Sequence, residues 1–141
     1  MTPIASHMHA LVALVTVVAL LLYFWMGLRV GRARSQHGVA APSMTGNADF
    51  ERVVRVQANT LEWLPLFLVS LWLFAIYLGD LPAAAIGVIW IVGRMLYMVG
   101  YSRDASARSS GFLIQLAATA LLMFGVLIKA VMLLASGGMT A

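Results

Sequence analysis

The chain has 141 residues, 62% of them hydrophobic and 10% charged, with a mean hydropathy of +0.95, values outside the range of soluble globular domains, so it reads as an integral membrane protein surrounded by membrane lipids. The lack of cysteine excludes disulfides, a thiol nucleophile and cysteine-ligated metal, and any thiol chemistry has to arrive with a substrate. The net charge of +4 is not a nucleic-acid signature, because the basic residues flank apolar runs and carry no interleaved aromatic patch.

Four spans of about 20 residues each take up most of this length, which predicts a single membrane domain over residues 1–141, an all-α, four-transmembrane-helix bundle of up-down-up-down order. The first span, residues 8–29, holds an uncharged run from Ala10 to Leu28 with no Lys or Arg before it, the pattern of a retained span and not of a secretory signal. Tyr23 and Trp25 suit an interfacial belt, and Arg29, Arg32 and Arg34 stop the span. The connection 30–52 contains Gly38, Pro42, Gly46 and Asn47 and reads as irregular. Asp49 is the expected cap of the second helix, with Glu51 favourable in its first turn.

The second span, residues 53–78, contains Pro65, which cannot donate to Leu61 and is expected to bend the helix above Glu62. Gly79 to Pro82 is a very short turn, so the second and third spans are expected to be adjacent and antiparallel. The third span, residues 81–101, is interrupted by Arg94, the connection 102–111 carries Arg103, Asp104 and Arg108, and the fourth span covers residues 112–135. The first and third connections hold seven of the nine Lys and Arg residues when the flanking Arg29, Arg52 and Arg55 are counted, which predicts that both are cytosolic and that both termini lie on the opposite side.

Two polar faces stand out. At about 100° per residue, Arg52, Arg55, Asn59 and Glu62 fall within a quarter-turn arc of the second helix. Trp90, Arg94, Tyr97 and Tyr101 share a face of the third at steps of four, three and four. Interfacial anchoring accounts for an arginine or tyrosine taken singly, and a Glu62–Arg94 pair would lock the two spans together. An intramembrane acid nevertheless costs at least about 2.5–3.5 kcal/mol and by default marks a functional site. The stripe therefore reads as half of a binding site for a small, polar, anionic molecule. His7, His9 and His37 lie outside the apolar runs of the spans with no i, i+4 pair on a helix, and no metal site is expected.

The segments FERVVRVQANTLEWLPLFL and GRMLYMVGYSRDASAR closely resemble those of the MAPEG family, the membrane-associated proteins in eicosanoid and glutathione metabolism. The resemblance covers the whole chain in span order and loop lengths. It implies a homotrimer of four-helix bundles with glutathione as cosubstrate at the cytosolic half of each subunit interface. Carried over by residue, it implies glutathione binding by Arg52, Arg55, Gln57, Asn59, Glu62, Arg94, Tyr97 and Tyr101, joined by Arg29 or Arg32 from the first span, and thiol activation by Arg108. Two positions depart from the pattern: Trp63 and Val54 stand where tyrosines are often found.

The chemistry of the residues agrees with the resemblance. A ligand with two carboxylates, an ammonium, amides and a thiol calls for guanidinium groups, one acid and neutral donors. The implied activity is a glutathione transferase, with peroxidase activity as a further expectation, acting on lipophilic electrophiles in a bacterial inner membrane with its site facing the cytoplasm. Two other readings stay open: a small proton-coupled multidrug exporter built around Glu62, and a non-catalytic lipid-binding member of the same family.

Overall fold

The computed structural model describes residues 8–104 and 108–137; His7 and residues 105–107 of the third connection lie outside them. Four helices follow in order: α1 (Ala10–Gln36), α2 (Ala48–Leu78), α3 (Asp80–Arg103) and α4 (Ser109–Ala135). All four are long and apolar enough to cross a membrane, and the described residues contain no strand. The helices run past the apolar segments that mark the spans: α1 continues to Gln36 and α2 begins at Ala48, so residues assigned from the sequence to the first connection are helical. α2 runs as one helix through Pro65.

α2 and α3 form the middle of the bundle. α1 packs on both and so does α4, while α1 and α4 do not meet. Apolar side chains gain little by leaving lipid, so close packing and buried polar contacts hold such helices together. The core shows both means. Phe67 of α2 stacks on Trp90 of α3 with ring centroids 4.0 Å apart, and Val12, Leu71 and Leu122 are fully buried beside them. α3 and α4 approach at glycines: a Cβ at Gly93 would lie 2.9 Å from the Gln115 amide nitrogen, and one at Gly111 only 2.2 Å from that of Tyr97. The outward faces of α1 and α4 expose Leu14, Leu21, Phe24, Leu121, Phe124 and Ile128, as lipid-facing surfaces do.

Local chemistry fixes the ends. The cap of α2 is Asn47, whose side chain accepts from the amides of Asp49 and Phe50. Asp49, expected in that role, lies inside the first turn and forms an ion pair with Arg52; the helix starts two residues earlier because Asn47 takes the extended conformation a cap requires. Gly79 alone separates α2 from α3, and its φ of 123° is open to glycine and strained for other residues. Asp80, the first residue of α3, caps α1 across the bundle, accepting from the amides of Leu11 at 3.0 Å and Val12 at 3.3 Å. That contact places a carboxylate on the positive end of the α1 dipole. The connection after α1 is organised by Arg34, whose Nη1 donates to the carbonyls of Val39, Ala40 and Ser43 while its guanidinium lies over the Phe50 ring.

Candidate active site

A cavity of about 660 Å³ lies between α2, α3 and the start of α4, lined by Arg55, Asn59, Glu62, Tyr97, Tyr101, Arg108, Ser109, Phe112 and Leu113. Helical periodicity accounts for its polar wall, since Arg55, Asn59 and Glu62 follow one another at steps of four and three along α2. Tyr97 and Tyr101 repeat that spacing on α3. Phe112 and Leu113 give the opposite side an apolar surface, and Trp63 backs it by meeting Phe112 edge-on with centroids 5.6 Å apart. Arg108 stands at the N-cap position of α4, where the amides of a first turn and the helix dipole add to the positive field of its guanidinium.

Behind the wall, Arg94 is fully buried. Its three arms each find a neutral acceptor: Nε donates to Thr60 Oγ1 at 2.9 Å, Nη1 to Gln115 Oε1 at 2.6 Å and Nη2 to Asn59 Oδ1 at 2.8 Å. A buried guanidinium left without partners would be costly, and each hydrogen bond to a charged group contributes about 1.5–3 kcal/mol. The direct Glu62–Arg94 pair considered from the sequence is not formed. Asn59 stands between them, accepting from Arg94 and donating its Nδ2 to Glu62 Oε2 at 3.3 Å. The physical reason is orientation: Glu62 turns to the cavity, whereas Arg94 turns into the core between α2 and α4 and is satisfied there.

The remaining candidates are distributed around this centre. Arg52, held by Asp49, lines an adjoining space of about 470 Å³ with Met44, Thr45 and Glu51; that space shares Arg55 and Tyr101 with the first. Gln57 leaves the stripe and faces α1, where a Cβ at Gly27 would lie 3.2 Å from its Nε2. Arg29 donates to Ser102 at 3.3 Å and lies over Trp25, and with Arg32 it borders a separate space of about 320 Å³ on α1. Arg94 supports the cavity without lining it. The sequence reading missed Thr60 and Gln115. Gln115 carried a signal: it is the one amide in the apolar fourth span, and an intramembrane amide needs a partner.

Comparison with known proteins decides the family. The model of the MAPEG family matches residues 12–128. The chain belongs to the MAPEG family. An uncharacterized protein of Synechocystis sp. is 48% identical over 117 residues, covering 83% of this chain and 85% of that protein. Human microsomal glutathione S-transferase 2 is 38% identical over 112 residues, 79% of this chain and 76% of that protein. Leukotriene C4 synthase of Cavia porcellus is 42% identical over 99 residues, 70% of this chain and 66% of the synthase. The match to this MAPEG chain spans the cavity-lining parts of α2, α3 and α4, so the family assignment and the site concern the same residues.

Proposed function

We propose that the protein is a membrane-bound glutathione transferase that joins the thiolate of glutathione to lipophilic electrophiles, with peroxide reduction as a second use of the same thiolate. The observation that carries this reading is the lining of one 660 Å³ cavity by Arg55, Asn59, Glu62 and two tyrosines from α2 and α3, and by Arg108 with the apolar pair Phe112 and Leu113 at the start of α4. Similarity to a microsomal glutathione S-transferase and a leukotriene C4 synthase supports the same class of chemistry. In this reading Arg55 meets a carboxylate of the tripeptide, Glu62 its ammonium, and Arg108 its sulfur. A free thiol has a pKa near 8.5 and a neighbouring guanidinium lowers it, so a larger share is thiolate at neutral pH. The thiol proton passes to solvent, and the sulfur attacks the electrophilic carbon. With an aromatic halide, the new carbon–sulfur bond forms as halide leaves with the bonding electrons.

The proposed assembly is a homotrimer of up-down-up-down bundles in a bacterial inner membrane, with the cavity open to the cytoplasm and both termini opposite. The single-residue connection between α2 and α3 and the basic residues flanking α1, α2 and α3 support this order and orientation. In such an assembly Arg29 and Arg32, which border a space on α1 away from the chain's own cavity, are assigned to the site of a neighbouring copy, whereas Gln57 packs on this chain's own α1.

The test is binding in detergent. Glu62→Gln and Arg55→Ala are each expected to weaken glutathione affinity by roughly tenfold or more, the worth of one charge-assisted hydrogen bond. Conjugation of an aromatic halide should fall with them. Wild-type affinity in both variants would refute the site.

A further inference from the structure

Two arginines and two tyrosines run as one continuous stack from the core behind the cavity to its mouth. At its buried end the Arg94 guanidinium carbon lies 4.5 Å from the centroid of the Tyr97 ring. Tyr97 and Tyr101 follow, with centroids 5.7 Å apart and planes 17° from parallel. Arg108 closes the series, its guanidinium carbon 5.4 Å from the Tyr101 ring centroid. Each step is within the range at which ring faces attract one another and attract cations.

The two ends of the stack differ in freedom. Arg94 is fixed by Thr60, Gln115 and Asn59, and Tyr97 is buried against it. Arg108 is exposed at the start of α4, where a long side chain has many rotamers to choose from. The ring beneath it selects among them. A guanidinium that is to meet a sulfur has to be in place beforehand, because its effect falls with misplacement.

We propose that Tyr101 is a positioning residue whose ring face, and not its hydroxyl, holds the Arg108 guanidinium over the mouth of the cavity. The inference rests on the reading of Arg108 as the group that stabilises the thiolate. It separates two parts of one side chain, and substitution separates them too: Tyr101→Phe keeps the face, whereas Tyr101→Leu removes it.

Two readouts test it. The first needs no glutathione: the Nε–H resonance of Arg108 in nitrogen-15-labelled protein in detergent, identified by its loss in Arg108→Ala. It is expected to carry a ring-current shift in the wild type and in Tyr101→Phe, and to lose it in Tyr101→Leu. The second is the ultraviolet thiolate band at saturating glutathione and neutral pH. Saturation keeps any change of affinity out of this readout; Tyr101→Phe should retain the band, and Tyr101→Leu should show about two- to fivefold less thiolate than Tyr101→Phe, the worth of one exposed cation–π contact. Loss of the band in Tyr101→Phe would assign the role to the hydroxyl and overturn the proposal. So would an undiminished band in Tyr101→Leu, or a resonance indifferent to that substitution. A ring-shifted Arg108 in a wild type that forms no thiolate would uphold the stack and bring down the proposed function instead.

Discussion

Arg108→Ala is expected to keep glutathione bound and to lose the thiolate. In the proposed reading the tripeptide has other anchors in Arg55, Asn59 and Glu62, which lie along α2 and do not depend on the start of α4. Its sulfur has fewer: Arg108 is the guanidinium at the α4 end of the cavity, beside Ser109 and the apolar pair Phe112 and Leu113. Removing one preorganised donor from a developing or standing anion typically costs about a hundredfold or more in rate. Conjugation with an aromatic halide should fall by roughly that factor, while the dissociation constant for glutathione changes by less than about tenfold. The decisive readout is the ultraviolet thiolate band on mixing. If Arg108→Ala forms the band as the wild type does, Arg108 has no part in activation.

Gly111→Ala is expected to be the most damaging single-methyl change in the bundle. A Cβ at this position would lie 2.2 Å from the amide nitrogen of Tyr97, 2.6 Å from the carbonyl oxygen of Gly93 and 2.7 Å from the Tyr97 Cα. These are backbone atoms of α3, and they cannot turn aside as the end of a flexible side chain can. Overpacking usually costs about 1–3 kcal/mol, and this contact belongs at the upper end, equivalent to a fall of roughly 10 °C in thermal midpoint for a chain of this size. The site should fail with the fold, because moving α4 off α3 separates Arg108 and Phe112 from Tyr97 and Tyr101. Gly31→Ala is the control, with nothing within 4 Å of the added atom, and should keep or slightly raise the midpoint, since alanine favours a helix interior over glycine. Equal midpoints for the two variants would mean that α3 and α4 do not approach as closely as described.

The polar wall of the site was legible in the sequence because the helical repeat is regular: Arg55, Asn59 and Glu62 could share a face only if residues 55 to 62 were one helix, and they are. The same arithmetic grouped Arg52 with them, yet Asp49 draws its side chain away toward the adjoining space. Periodicity gives direction from the axis and says nothing of a local acid one turn earlier. It also could not give the partners of Arg94. Thr60 lies about 100° off the stripe, and Gln115 sits in another helix whose rotation no pattern in α3 reports. Nor did composition reveal that Arg34, which reads as one more positive charge at the end of a span, organises the carbonyls of the following connection.

The central claim is that the charges gathered at this cavity are there to hold a tripeptide thiol. Equilibrium titration of the purified protein in detergent with glutathione tests it most directly, with an S-methylated analogue alongside. The expected result is saturable binding of both ligands, with a thiolate band raised by glutathione alone. Absence of saturable binding of either, with the protein folded and its thermal midpoint unmoved by the ligands, would contradict the claim.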